Sequence, residues 1–69
     1  MKCYFTFGQI HAHRINGKTL DKDCVAEMTA ESLLEGHNKG MEIFNEQFHL
    51  STAEPPDMSY YPRGIINID

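Results

Sequence analysis

The stretch that decides the fold covers residues 2–29 and reads KCYFTFGQIHAHRINGKTLDKDCVAEMT. Two segments rich in aromatic and β-branched residues lie on either side of Asn16-Gly17. Asn-Gly is a strong signal for a two-residue type I′ hairpin turn, because both central residues of that turn must take positive φ. The sequence therefore predicts one long β-hairpin in which Ile15 lies opposite Lys18.

This predicted hairpin has a single apolar face. Successive residues of a strand point to opposite faces of the sheet, and the predicted register places Phe5 opposite Met28. One face then carries Cys3, Phe5, Phe7, Cys24, Ala26 and Met28. A bulge at Gly8 or a longer loop at residues 21–23 would change the register.

The two cysteines share this face but lie about 20 Å apart along the hairpin in the predicted register. A disulfide requires Cα atoms within about 7 Å, so Cys3 and Cys24 are predicted to be buried free thiols. A thiol on the buried face of a small sheet usually packs as a small apolar side chain. Neither an oxyanion hole nor an orienting group for a Cys24 nucleophile can be recognised. The sequence predicts no catalytic residue and no cofactor.

An amphipathic helix is predicted to begin between residues 29 and 32 and to end near residue 47. Ser32 and Glu35 have the spacing of a capping box, whose side chains bind free backbone amides at the start of a helix. On a helical wheel the apolar side carries Leu33, Leu34, His37, Met41, Phe44 and Phe48. The opposite side carries Glu31, Glu35, Glu42 and Glu46. Gly36 and Gly40 border the apolar side, where a missing Cβ allows close approach of a helix to a sheet.

The remaining residues complete a small α+β fold. A third strand is predicted near residues 48–52, and Pro55-Pro56 ends it because proline supplies no ladder donor. Residues 53–64 then form a loop, and residues 65–68 form a possible fourth short strand that pairs either within the chain or with a neighbour. The prediction is a single domain, residues 1–69, with a small antiparallel sheet in the order β-β-α-β and one amphipathic helix packed on one face.

The overall charge disfavours nucleic acids and anionic membranes as partners. The 69 residues carry a formal net charge of −4, and an acidic surface repels phosphate groups. A larger protein with a basic surface is the more natural partner.

The first residues lack the apolar core of a signal peptide, and no segment has the roughly 20 apolar residues of a membrane span. The cytoplasm is therefore the expected compartment.

His11 and His13 are the residues most suggestive of metal chemistry. Alternate positions on a strand project from one face, so two imidazoles could bind one ion. Zinc requires three or four ligands, and the candidates to complete such a site are His37, His49, Asp21 and Asp23. Nothing in the spacing brings these residues together, and histidines at a sheet edge or an interface explain the pattern better. A small metal- or ligand-binding domain remains an alternative function.

Two surfaces are candidates for binding a partner protein. The first is the glutamate side of the helix, a negatively charged strip suited to a basic groove; its residues are Glu31, Glu35, Glu42 and Glu46. The second is the proline-flanked loop, because Tyr and Arg are enriched at interface cores; its residues are Tyr60, Tyr61 and Arg63. The alternatives are a solvated helix face and a loop that covers the end of the core.

Three segments of the chain resemble a known class of proteins: Tyr4–Gln9, Ala26–Ser32 leading into the helix, and Tyr60–Gly64. They are similar to small phage- or prophage-encoded proteins, and the strand-to-helix part resembles small anti-CRISPR proteins built from one sheet and one helix. This resemblance covers about half of the chain and assigns no role to any residue. It implies a small inhibitor or modulator that binds a larger host or defence protein in the bacterial cytoplasm. A structural homodimer is a further alternative.

Overall fold

The computed structural model describes residues 1–69 as six strands, one α-helix and a short 3-10 helix at Met58–Tyr60. The elements follow one another as β1 (Lys2–Thr6), β2 (His13–Ile15), β3 (Lys18–Leu20), β4 (Cys24–Thr29), α1 (Leu33–Ile43), β5 (Leu50–Thr52) and β6 (Gly64–Asn67). One sheet has the strand order β5-β1-β4-β6, and β2 and β3 form a separate two-stranded ribbon. The predicted α+β class, with one helix on one face of a sheet, is confirmed.

The predicted turn is confirmed, but the long hairpin is divided into two parts. Ile15 pairs with Lys18, and Asn16 and Gly17 have positive φ of 52° and 76°. Between β1 and β4, however, Phe5 pairs with Ala26 and not with Met28. The register differs by two residues because the chain after β1 leaves the ladder and turns sharply, with the His11 amide donating to the Gly8 carbonyl oxygen at 3.0 Å.

A shift of two residues leaves every side chain on its predicted face, since strand side chains alternate with a period of two. The six residues of the predicted apolar face are accordingly all buried: Cys3, Phe5, Phe7, Cys24, Ala26 and Met28. Both cysteines are free, as the sequence predicts.

The sheet is mixed, which corrects the prediction of a wholly antiparallel sheet. β1 runs antiparallel to both of its neighbours, whereas β6 runs parallel to β4, with Ile66 beside Ala26. The reason lies in the connection from β5 to β6. Residues 53–63 return the chain from one edge of the sheet to the start of β4 at the other edge, so β6 runs in the same direction as β4.

The helix begins as predicted and ends earlier. The Glu35 amide donates to the Ser32 hydroxyl at 3.1 Å, while the Glu35 carboxylate accepts from the Glu31 amide at 3.4 Å. After Ile43 the chain takes a left-handed conformation at Asn45 (φ 52°) and Glu46 (φ 63°). Two consecutive left-handed residues cannot continue an α-helix, so Glu46 lies beyond its end.

The helix packs on the sheet through its glycines, which confirms the predicted close approach at Gly36 and Gly40 but shifts the buried side away from part of the predicted apolar side. Gly36 and Gly40 are the buried positions of α1, while Leu34 is 70% exposed. A Cβ at Gly36 would overlap the Cys3 sulfur, and one at Gly40 would lie 2.9 Å from Cζ of Phe5. Large side chains on the sheet thus occupy the space that the glycines leave. The buried side of the helix is rotated away from Leu34, and Phe44 alone of the six predicted apolar-side residues is fully buried.

The β2-β3 ribbon covers the rest of this sheet face. Leu20 of the ribbon is fully buried, and the His13 ring packs against Phe7 and Phe44 at centroid distances of 5.6 and 5.2 Å. The Asn16 side-chain amide donates to the Ile68 carbonyl oxygen at 2.9 Å. The resulting core of ten buried residues contains Cys3, Phe5, Phe7, Leu20, Cys24, Ala26, Met28, Ala30, Phe44 and Ile68.

Candidate functional site

The side of α1 that points away from the sheet is the strongest candidate binding surface. Glu31 and Glu42 are exposed, Glu35 is half-buried, and Leu34 is 70% exposed beside them. A shallow depression of about 600 Å³ lies on this side of the helix. We call this surface the acidic face; it consists of Glu31, Ser32, Leu34, Glu35, Asn38, Lys39 and Glu42.

The acidic face retains most of its negative charge. Lys39 binds Glu35 across one helical turn, with Nζ to Oε1 at 3.1 Å. This hydrogen bond, with the one from the Glu31 amide, lowers the pKa of Glu35 below its usual value. Glu31 and Glu42 have no basic side chain within ion-pair distance. Two carboxylates of this surface thus have no ion-pair partner, although the N-terminal ammonium is bound nearby to the Ala30 carbonyl oxygen.

Glu46 does not belong to this surface, although the sequence places it on the glutamate side. It is exposed, but its left-handed backbone follows the end of α1. The wheel that groups it with the other three glutamates assumes a helix up to residue 47, and the helix ends at Ile43.

The predicted loop surface is divided between a structural part and an exposed part. The Arg63 guanidinium binds Asp21 at 3.0 Å and donates to the Thr19 carbonyl oxygen at 2.9 Å. Arg63 thus anchors the loop to the start of β4. Tyr61 is half-buried, whereas Tyr60 is 75% exposed and is the only aromatic side chain of the loop that is freely presented.

Three of the four histidine side chains, those of His11, His13 and His37, each have a hydrogen-bond partner of their own. His11 Nδ1 accepts from the Gly8 amide at 3.0 Å, and His13 Nε2 lies 2.7 Å from the Gln47 carbonyl oxygen. His37 Nδ1 lies 2.7 Å from the Ser51 hydroxyl. No group of three or more His, Cys, Asp or Glu side chains is arranged to hold a metal ion. The structure therefore does not bring His11 and His13 together with the residues that would complete a metal site.

The thiol of Cys24 is held in the turn before β4. Its sulfur accepts from the Asp21 amide at 3.4 Å and lies 3.6 Å from the Asp21 carbonyl oxygen. Burial raises the pKa of Cys24 above its usual value, and the hydrogen bond with Asp21 and the charge of Arg63 only partly oppose this. A raised pKa disfavours the thiolate that nucleophilic chemistry requires.

A polar network on the other side of the sheet joins both ends of the chain, and the sequence gives no local sign of it. The Asp69 carboxylate accepts from the Thr29 amide at 2.8 Å and from the Thr29 hydroxyl at 2.7 Å. These bonds, with a smaller contribution from Lys2 at 3.6 Å, lower the pKa of Asp69 to about 2. The Asn67 amide donates to Glu27 at 2.9 Å.

Tyr4 lies beside this network. Partial burial raises the pKa of Tyr4, and the Glu27 carboxylate raises it further through its charge and a hydrogen bond. Residues that are far apart in the sequence meet here only because β6 runs along β4, a topology that periodicity does not reveal.

Comparison with known protein families, with curated proteins and with solved structures finds no match for this chain. None of the helices is long and apolar enough to cross a membrane. The fold and its surfaces define a small α+β protein whose most distinctive exposed feature is the acidic face of its helix.

Proposed function

We propose that this protein is a small acidic binding module that inhibits or modulates a larger bacterial protein by contact through its acidic face. The proposal rests on the exposure of the Leu34 side chain next to acidic residues. This side chain is 70% exposed beside carboxylates of which two have no basic partner, so the face combines an apolar anchor with net negative charge.

This combination suits a helix that docks into a groove of a partner protein. Such a helix inserts apolar side chains into the floor of the groove, and charges at the rim speed association and set the orientation. None of the side chains of the acidic face belongs to the buried core, and the Glu31 and Glu42 carboxylates make no ion pair within the chain, so these two carboxylates are available to a partner. The partner that fits has an apolar groove with Lys or Arg at its rim.

Tyr60 is a second contact residue in this proposal. Exposed tyrosines are common among the residues that dominate binding energy at interfaces. The resemblance of the strand-to-helix segment to small anti-CRISPR proteins supports the same function, namely inhibition by binding without catalysis in the cytoplasm of a bacterial host.

The experiment is a pull-down from bacterial lysate with tagged protein, in which bound proteins are identified by mass spectrometry. The test variant is Glu31→Lys/Glu42→Lys. The matched control is Glu46→Lys/Glu54→Lys, which makes the same change in charge at two exposed positions outside the acidic face. We expect one stoichiometric partner that is retained by the control and lost by the test variant.

Leu34→Ala separates the apolar contribution from the charge. Substitution at an exposed site changes the free energy of unfolding by about 0.5 kcal/mol or less, so weaker capture by this variant reports binding and not folding. A partner captured equally by the wild type, Leu34→Ala and the test variant would refute the proposal.

A further inference from the structure

Strand β6 is an edge strand with limited apolar packing, since Ile68 is its only neighbour in the buried core and Ile66 packs against that core while only partly buried. It pairs with β4 alone and forms one edge of the sheet. Ile65 is 42% exposed and Ile66 is half-buried, and the only buried apolar side chain of the C-terminal segment is Ile68 at 5% exposed. Edge strands with little buried surface open at lower free energy than central ones.

Two clasps fix the ends of this strand. At its start, Arg63 binds Asp21 through its guanidinium and donates its backbone amide to the Asp23 carbonyl oxygen at 2.9 Å. At its end, Asp69 binds the amide and hydroxyl of Thr29, and the Asn16 side-chain amide donates to the Ile68 carbonyl oxygen at 2.9 Å. The charged groups around this second clasp are Lys2, 3.6 Å from Asp69, and Glu27, 3.7 Å from Lys2. Both clasps lie near the surface, where water competes for the same groups.

The connection that precedes β6 is long enough to deliver the strand to another molecule. Residues 53–63 contain Pro55, Pro56 and Pro62 and no regular structure except one 3-10 turn. Fully extended, they span about 36 Å. The longest dimension of the molecule is 28 Å. A released β6 can therefore reach the sheet of a neighbouring copy.

We propose that β6 is a releasable strand that exchanges between two copies of this chain. Release leaves an open edge on β4, where Val25 and Ala26 are fully buried, and uncovers Ile68. An open apolar edge strongly favours pairing with another strand. The β6 of a second copy carries the same isoleucines and the same Arg63 and Asp69, so it restores the ladder and both clasps.

Because each molecule gives and receives the same strand, the product is a closed two-fold dimer in which the native contacts are made between chains. The inference is independent of the proposed binding function, since β6 forms the edge of the sheet farther from α1, which packs on β1 and β5.

The test combines hydrogen exchange with mixing of labelled and unlabelled protein. The Ile68 amide, which donates to the Glu27 carbonyl oxygen at 2.9 Å, is expected to exchange several-fold faster than amides of the β1-β4 ladder. Unlabelled and nitrogen-15-labelled protein, mixed at high concentration, are expected to form mixed dimers slowly, over hours, as seen by native mass spectrometry.

The variant Arg63→Gln/Asp69→Asn weakens both clasps and is expected to speed Ile68 exchange and mixed-dimer formation while β1-β4 protection is unchanged. Asp69→Asn alone serves if the double variant does not fold. Three results would overturn the proposal: an absence of mixed dimers, dimers that form within seconds at a rate the variants do not alter, or an Ile68 amide that exchanges only with global unfolding.

Discussion

Gly40→Ala is expected to destabilise this protein, although alanine in place of glycine within a helix normally stabilises by about 1 kcal/mol. The Cβ added at Gly40 would lie 2.9 Å from Cζ and 3.1 Å from Cδ1 of Phe5, where ordinary carbon contacts are about 3.5–4.0 Å. The Phe5 ring is fully buried and cannot move aside easily, since Phe44 and Phe48 pack against it at centroid distances of 5.3 and 5.2 Å.

The magnitude follows from two opposing effects. Overpacking a well-filled core costs about 1–3 kcal/mol, and the helix preference of alanine offsets about 1 kcal/mol of it. Because the added Cβ would overlap the Phe5 ring, the overpacking cost should lie near the upper end of its range, and we expect a net loss of about 2 kcal/mol, measured by urea unfolding. The melting temperature should fall by about 4–8 °C for each kcal/mol lost in a domain of this size.

The control is Asn38→Ala on the outer side of the same helix, where the substitution should be neutral or slightly stabilising. Phe5→Leu should remove much of the penalty when combined with Gly40→Ala, so the two changes should not be additive. A Gly40→Ala variant as stable as the wild type, with an unchanged fold, would show that the helix does not rest on Phe5 through its glycines.

Three further predictions concern the helix cap, the Asp69 clasp and the thiols. Ser32→Ala should cost about 1 kcal/mol in the free energy of unfolding, because it leaves the Glu35 amide without its acceptor; urea unfolding in which this variant equals the wild type would contradict the cap. The pKa of Asp69 is lowered to about 2 from about 3.9 in an unfolded chain, so its stabilising effect is complete above pH 4 and disappears as the pH falls towards 2. The difference in urea midpoint between the wild type and Asp69→Asn should therefore be constant from pH 7 to 5 and shrink between pH 4 and 2; a difference that persists at pH 2 would refute the assignment. Cys3 and Cys24 should react with a thiol reagent only as fast as the protein opens, so that denaturant accelerates labelling strongly; rapid labelling of folded protein would contradict their burial.

Local signals in the sequence predict the local structure of this fold well. Asn16-Gly17 determines the ribbon turn because few residue pairs accept two consecutive positive φ values. Ser32 and Glu35 mark the start of the helix, since the free amides of the first turn require acceptors. The apolar alternation from Cys3 to Met28 identifies the buried face of β1 and β4 even though the register differs by two residues.

The features that the sequence does not predict depend on contacts between distant parts of the chain. The parallel pairing of β6 results from the route of residues 53–63, for which no periodicity exists. The close approach at Gly36 and Gly40 is predicted from the sequence, but the centre of the buried side is misplaced, because a hydrophobicity wheel gives weight to Leu34, whereas packing on Cys3 and Phe5 centres the buried side on the glycines.

The candidate site is predicted in part for the same reasons. Glu35 and Glu42 lie on the outer side of the helix as the wheel indicates, because charged residues face water whichever apolar side is buried. Glu31 is exposed but precedes the N-cap Ser32, so the wheel does not apply to it. Leu34 is missed, since an exposed leucine looks like a core residue in the sequence. Arg63 is predicted as a binding residue, but in the folded chain its guanidinium is held by Asp21, which lies more than forty residues earlier.

Binding of a partner through the acidic face is tested most directly by the dissociation constant of the captured protein. We would measure it by calorimetry for the wild type and for Glu31→Lys/Glu42→Lys, at low and at high salt. We expect at least about tenfold weaker binding by the variant, and wild-type binding that weakens with added salt because exposed charges are screened. Equal dissociation constants for the two proteins, with the same dependence on salt, would contradict binding through the acidic face.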